Sequence, residues 1–250
     1  ARMLEILLQT TLPSESSPLL AHQMAGWIKS ITTISTPHNG TTLVPILLDI
    51  FPFAIDLAPW LGGLHLQAIN SIYNFDLEHW GLERMADESV ISYFKRIGKS
   101  PLANGKNLCT WDLSPEGSAE FNKNYQTDPD VYYFSFSTYA TTAASNNIKH
   151  IPGPKMPILL RSTSRLMGAS DRYDASWHEN DGVCNTSSMH GPAGSIIVEY
   201  DNNPQKGVWQ KMKKLHIDHQ GVIGHLISKN KYSNTIVVYK NHAEFLSSLK

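Results

Sequence analysis

Short β-branched or aromatic runs and longer stretches of helical pattern alternate along this chain. Residues 28–36 are β-branched and residues 131–138 are dense in aromatic side chains, so both runs are predicted strands. A third strand is predicted within residues 207–216. Helices are predicted over residues 1–9, 88–98, 117–124 and 240–250, while residues 141–176 are predicted to be rich in loops with some helix. Strands separated by long helical stretches indicate an α/β fold, with a mostly parallel sheet flanked by helices.

An apolar stretch over residues 43–66 does not fit this alternation. It contains prolines at positions 45, 52 and 59 and two aspartates, which predict short helices joined by turns and exclude a span across a bilayer. Two interpretations stay open. The stretch is either part of the buried core or a mobile lid that covers an apolar pocket. In the second case the side chains offered to a lipid surface would be Leu47, Phe51, Phe53, Trp60 and Leu64.

Size and charge narrow the classes of function. The 250 residues are enough for one domain with a sizeable core. The net charge of −1 and the pI near 6.9 argue against a nucleic-acid partner, because such a protein would show a basic face. The two cysteines could form at most one bridge, so the chain is not a disulfide scaffold.

The candidate chemistry lies in the last third of the chain. Asp181 stands in an Asn-Asp-Gly turn, and His219 follows it in the order that Ser-Asp-His hydrolases of the α/β-hydrolase fold use. None of the 16 glycines, however, has a Ser or Cys two residues before it, so the nucleophile motif is absent from the chain. Spacing alone leaves open that Asp181 is an ordinary turn residue and His219 an unrelated loop histidine.

A metal site is the other chemistry that these histidines suggest. His216, His219 and His225 could bind zinc, although their spacing matches no standard ligand set. A metal-dependent hydrolase that uses His216, His219 and Asp181 is a further possibility.

Several segments, taken together, resemble the secreted triacylglycerol lipases of the staphylococcal and thermophilic-bacillus type. They follow the family's order over nearly the whole chain, and they are residues 32–41 (TTISTPHNGT), 76–82 (DLEHWGL), 132–138 (YYFSFST), 179–183 (ENDGV), 206–209 (KGVW) and 218–219 (DH). The resemblance implies that Asp181 and His219 are the acid and the histidine of a catalytic triad. It also implies an α/β-hydrolase fold with a helical lid insertion at about residues 41–80, in a single domain.

The same resemblance implies that the chain is truncated at its N-terminus. In the family the nucleophilic serine stands in an A-H-S-x-G-G-Q-T motif, and the residues after that motif resemble Ala-Arg-Met-Leu at positions 1–4. The serine, the oxyanion-hole amides and the first strands would then precede this chain. We therefore expect the 250 residues alone to be inactive and to aggregate or stay partly unfolded, because the sheet would have an unpaired edge. Secretion is implied by the resemblance only.

The family's metal sites are not matched. Members of this type hold calcium with acidic residues at two positions where this chain has Gly221 and Leu226. An aspartate of the family's zinc site corresponds to Asn107, and a tryptophan near it to Ala103. Since a hard cation needs carboxylate oxygens, we expect no metal cofactor.

The expected function is therefore hydrolysis of carboxylic esters of lipids at an interface, by a serine that is missing from this chain. The alternative is a catalytically inactive lipase homologue that binds lipids or a partner protein.

Overall fold

The structure is a computed structural model that describes residues 27–50, 81–89, 92–93, 96, 99–100, 105–106, 108–145, 148–225 and 229–249. The strands in this part of the chain are β1 (Ser30–Ile34), β2 (Tyr132–Phe136), β3 (Thr138–Tyr139), β4 (Thr141–Ala143), β5 (His150–Pro152), β6 (Ile197–Glu199), β7 (Trp209–Lys211) and β8 (Leu215–His216). The α-helices are α1 (Leu43–Ile50), α2 (Cys109–Asp112), α3 (Pro115–Asn124), α4 (Ile158–Gly168) and α5 (Lys229–Ser247), and short 3₁₀ helices span Ala175–Trp177, Thr186–Met189 and Gly221–Ile223.

The central sheet has four strands in the order β1-β2-β7-β6, and each neighbouring pair is parallel. The predicted parallel sheet is therefore confirmed. Two short pairings extend this arrangement: β3 with β8 in parallel, and β4 with β5 in an antiparallel hairpin. Since β3 follows β2 directly and β8 follows β7, the parallel β3–β8 pair continues the direction of the main sheet.

Side chains alternate between the two faces of the sheet, as a strand requires. One face contributes Ile31, Tyr133 and Trp209 to a buried cluster that also contains Val131. The other face carries Phe134 and Phe136 of β2 and is covered by α5. There the rings of Phe134 and Phe245 meet edge to face with centroids 5.1 Å apart.

Local sequence signals account for the boundaries of α3. Its N-cap is Ser114, whose Oγ accepts a hydrogen bond from the amide of Gly117 at 3.0 Å. Pro115 occupies the first turn, where the missing amide hydrogen is not needed. Such a cap satisfies one of the amides that the first turn of a helix leaves without a partner.

The structure differs from the sequence-based predictions in detail at three places. The strand predicted within residues 207–216 is present as two short strands, β7 and β8, because the chain changes partner from β2 to β3 where β2 itself ends. The C-terminal helix begins at Lys229 and not near residue 240. The segment 141–176 contains the β4–β5 hairpin in addition to α4.

Two absences hold for the part of the chain just defined. No helix there is both long enough and apolar enough to cross a membrane. Cys109 and Cys184, both of which lie in that part, are free thiols.

Candidate active site

Asp181 lies in a tight turn beyond the carboxyl ends of the strands. Its backbone amide donates to the carbonyl oxygen of Cys184 at 3.1 Å, which closes the turn. Gly182 in this turn has a φ of +101°, a conformation that favours glycine, and a Cβ there would lie 2.9 Å from the Cβ of Leu160. The geometry of the turn therefore favours glycine at the position after Asp181. The carboxylate of Asp181 is completely buried.

Backbone amides hold one oxygen of this carboxylate. The amides of Val183 and Cys184 donate to Oδ1 at 3.0 and 2.9 Å. Two amides on one oxygen fix the plane of the carboxylate and stabilise its negative charge, which a buried acid needs to stay ionised.

His219 meets the other oxygen. It follows β8, and its backbone amide donates to the carbonyl oxygen of Asp181 at 3.0 Å. Its ring Nδ1 lies 2.8 Å from Asp181 Oδ2. Because Nδ1 faces a carboxylate, the neutral ring carries its proton there, and Nε2 is the basic nitrogen. The side chain of His219 is 28% exposed, in contrast to that of its partner.

Opposing effects set the basicity of this histidine. Burial lowers the pKa of His219, while the hydrogen bond and the negative charge of Asp181, with a smaller contribution from Asp218, raise it. The effects of the carboxylates prevail, so the pKa of His219 is raised from its ordinary value of 6.5. An imidazole that is paired with a buried carboxylate and basic near neutral pH can act as a general base.

The buried side-chain amide of Asn180 holds the turn in place, a role that the sequence did not indicate. Asn180 donates from Nδ2 to the carbonyl oxygens of His178 and Ser164, and its Oδ1 accepts from the amide of Gly182 at 3.0 Å. The only sequence signal is that Asn180 lies directly before the acid. A second residue that the sequence did not indicate is Thr138, whose Oγ1 donates to Asp181 Oδ2 at 2.7 Å.

The first residues of the proposed lid segment form hydrogen bonds with the loop that follows Asp181. Thr41 Oγ1 donates to the carbonyl oxygen of Val183 at 2.7 Å, and Asn185 Oδ1 accepts from the amide of Thr42 at 2.8 Å. Leu47, one of the predicted lid residues, is buried in a cluster with Leu43 and Met167 and does not lie on the surface. The other four predicted lid residues, Phe51, Phe53, Trp60 and Leu64, lie outside the described residues.

A cavity of about 560 Å³ lies next to the histidine loop. It lies between the 3₁₀ helix Gly221–Ile223 and α5, and it is lined by Val222, Ile223, Gly224, Thr235, Ile236, Tyr239 and Lys240. Most of this lining is apolar, so the chain presents an apolar surface a few residues after His219.

The described residues contain one group of three whose possible ligand atoms all lie within 4.8 Å of one another, namely Asp181, Cys184 and His219. This group does not suit a cation. Burial and the charge of Asp181 raise the pKa of Cys184 well above its ordinary value, so it is a thiol and not a thiolate. The lone pairs of Asp181 are also engaged by the donors described above.

The other two histidines that the sequence suggested as metal ligands are not part of this group. His216 stacks on Tyr139 with ring centroids 4.6 Å apart, and neither His216 nor His225 belongs to the group of three. The position of Gly221 serves a structural role, because its amide donates to Asp218 Oδ1 at 2.8 Å. Leu226 and Asn107 lie outside the described residues.

Comparison with known proteins shows the family of the chain. Residues 2–245 match the family model described as the lipase-like, C-terminal domain. The chain belongs to this family. A lipase of Staphylococcus epidermidis is 32% identical over 217 residues, which are 84% of this chain and 30% of that protein. The lipase-like chain thus spans less than a third of the length of this relative.

Solved structures agree with the lipase-like assignment. EstA from Clostridium botulinum superimposes with a TM-score of 0.78 at 31% identity, covering 99% of this chain and 61% of that one. Lipase 1 from Pelosinus fermentans gives a TM-score of 0.75 at 34% identity, covering 100% of this chain and 69% of that one. The predicted α/β-hydrolase fold and the resemblance to bacterial lipases are therefore confirmed.

Proposed function

We propose that this lipase-like chain supplies the acid and the histidine of a Ser-Asp-His triad that hydrolyses carboxylic esters of the triacylglycerol type. The observation that carries the proposal is the 2.8 Å contact between His219 Nδ1 and the buried Oδ2 of Asp181. A carboxylate that accepts from Nδ1 fixes the tautomer of the ring and stabilises the imidazolium that forms during catalysis. The 30% or higher identity to bacterial lipases supports the choice of esters as substrates.

The proposed nucleophile is a serine outside these 250 residues, because no glycine of the chain follows a Ser or Cys by two positions. In the first half of the reaction the serine Oγ attacks the ester carbonyl carbon, and its proton passes to Nε2 of His219. The tetrahedral intermediate then breaks its bond to the alcohol oxygen, which receives that proton. Water repeats both steps on the acyl-enzyme and releases the carboxylic acid and the free serine.

Two further parts of the proposal follow from the relatives. The substrate would be a lipid ester at an interface, with residues 41–80 as a lid, and the protein would act outside the cell like the secreted lipases it resembles. The connection of Thr41 and Thr42 to the loop after Asp181 supports the lid, because it gives the segment a fixed starting point beside the site.

The test replaces His219 by Ala in the full-length protein that contains this chain. Ester hydrolysis should fall by roughly 10⁴-fold, as it does when a triad member is removed. The matched control is His216→Ala, a histidine that is exposed and stacks on Tyr139 in the neighbouring strand pair, and it should retain activity. Retained hydrolysis in the His219 variant would contradict the assignment.

A serine-directed phosphonate separates this function from its alternative. Covalent labelling of the full-length protein, lost when it is unfolded, is the expected result. An intact protein that takes up no label and cleaves no ester, yet binds lipid vesicles, would instead identify the inactive lipid-binding homologue.

A further inference from the structure

We propose that Ser35 and Thr138 are positioning residues, which form a buried chain of hydroxyl groups that orients the carboxylate of Asp181 toward His219. This inference rests on the proposed function, since it assigns roles to two more residues of the same site. It starts from two hydroxyl contacts that join the end of β1, the start of β3 and the acid turn.

The distances define an unbroken chain. Ser35 Oγ lies 2.8 Å from Thr138 Oγ1, and Thr138 Oγ1 lies 2.7 Å from Asp181 Oδ2. The same oxygen of Asp181 receives His219 Nδ1 at 2.8 Å. Ser35 is 3% exposed, and Thr138 and Asp181 are 0% exposed, so water does not compete for these groups.

The direction of the chain follows from counting protons. Thr138 has one hydroxyl hydrogen, and its three possible acceptors are Asp181 Oδ2 at 2.7 Å, Ser35 Oγ at 2.8 Å and Met189 Sδ at 3.3 Å. The carboxylate oxygen is the closest of the three and the only charged one, so it receives the hydrogen. Thr138 Oγ1 is then an acceptor toward Ser35, and Ser35 must be the donor. Both hydroxyls therefore direct their positive ends toward the acid.

The backbone holds Ser35 in an unusual conformation at this point. Its φ is +53°, in the left-handed region that non-glycine residues rarely adopt, while its amide still donates to the carbonyl oxygen of Phe136 at 3.0 Å. Such a conformation persists where the surrounding structure determines it, and it is frequent at functional sites. Here it occurs at the residue that begins the hydroxyl chain.

Thr138 completes the set of donors around Asp181. Oδ1 accepts from two backbone amides, and Oδ2 accepts from Thr138 and from His219. Without Thr138 the carboxylate would lose the contact that limits its rotation on the side of His219. Oδ2 would also carry more of the negative charge, because one donor that shares it would be missing.

The experiment compares Thr138→Val with Thr138→Ser in the full-length protein. Valine keeps the shape and removes the hydroxyl, whereas serine restores it. Thr142→Val, the same change at an exposed threonine of β4, is the control. We expect Thr138→Val to lower kcat by about tenfold to a hundredfold, because a displaced catalytic group costs rate, with KM little changed. Thr138→Ser should recover most of this loss, and the control should match the wild type.

The second readout is independent of turnover. The pKa of His219 can be followed by NMR of its ring, whose signal is assigned because it is missing in His219→Ala. This pKa should rise in Thr138→Val and return to the wild-type value in Thr138→Ser. A residue that only stabilised the fold would lower the yield of folded protein without this shift. The NMR result remains informative even if the wild-type protein cleaves no ester, so failure of the proposed function and failure of this inference are distinguishable.

Ser35→Ala keeps the inference testable if Thr138→Val does not fold. It should change kcat and the pKa of His219 in the same direction as Thr138→Val, by a smaller amount, because it acts on Asp181 through Thr138. A folded Thr138 or Ser35 variant with wild-type kcat and an unshifted His219 would overturn the proposal.

Discussion

At the scale of single residues, the buried charge of Asp181 is the feature that organises the site. A carboxylate without access to water is unfavourable unless hydrogen-bond donors surround it. Asp181 has two backbone amides, one hydroxyl and one imidazole within 3.0 Å. The protein thus supplies a fixed anion at one ring nitrogen of His219, and this anion raises the pKa of the histidine against the effect of its burial.

The pH dependence of activity should report this pairing. Asp181 raises the pKa of His219 from 6.5, and a general base must be neutral, so kcat/KM should increase with pH through a pKa above 6.5. Asp181→Asn removes the charge that opposes the effect of burial. The apparent pKa should then fall below the wild-type value, while the rate drops by roughly 10⁴-fold. A profile whose acid limb is the same in the two proteins would show that Asp181 does not act on the titrating base.

The contribution of the His219–Asp181 pair to the stability of the fold should change with pH in the opposite direction to activity. Because the pKa of His219 is raised in the folded state, the imidazolium stabilises the fold fully below 6.5. This contribution is lost as the pH rises through the folded pKa. Because catalysis needs neutral His219, it takes place in the pH range where the pair contributes least to the stability of the fold.

At the scale of elements, loops that are fixed by buried side-chain amides position the acid. Asn185 is completely buried, and it joins the start of the proposed lid segment to the acid turn through Thr42. Its Nδ2 also donates to the carbonyl oxygen of Trp177. The acid turn itself lies outside the regular strands, so side-chain hydrogen bonds, including the one from Thr138 of β3, hold it in place.

Asn185→Ala should consequently destabilise the protein. The variant leaves the buried amide of Thr42 without its acceptor, and unsatisfied groups of this kind cost about 1–3 kcal/mol each. We expect the free energy of unfolding of the full-length protein, measured in urea, to fall by about 2–4 kcal/mol. Asn203→Ala, an exposed asparagine, should change it by less than about 0.5 kcal/mol. Equal stability of the two variants would argue against a structural role for Asn185.

The same elements show what the sequence can and cannot predict. The strands β1 and β2 were predicted to within two residues because β-branched and aromatic runs are strong local signals. The Asn-Asp-Gly turn at Asp181 is also local, since Gly182 needs a positive φ. Ser35 and Thr138 could not be predicted, because their contact spans 103 positions and depends on the register of β1 against β2. The break between β7 and β8 has the same origin, since it depends on where the partner strand ends.

At the scale of the whole molecule, α5 packs on one face of the sheet, and a histidine of this helix lies there among aromatic rings. His242 Nε2 lies 2.7 Å from Thr32 Oγ1 of β1. Its ring meets those of Phe136 and Phe134 edge to face, with centroids 4.9 and 5.7 Å away. This packing connects the last helix of the chain with the first strand of the described sheet.

The docking of α5 should therefore weaken in acid. Burial lowers the pKa of His242 from 6.5, so the unfolded chain binds a proton before the folded protein does. The contribution of neutral His242 to stability is fully present above pH 6.5, and it is lost as the pH falls toward the lower, folded pKa. Glutamine at this position can still contact Thr32 but cannot titrate. Thermal unfolding of the full-length His242→Gln protein should thus depend less on pH between 7.5 and 5 than that of the wild type. Part of the dependence should remain, because burial also lowers the pKa values of His150 and His190. An unchanged dependence in the variant would mean that α5 stays docked when His242 is protonated.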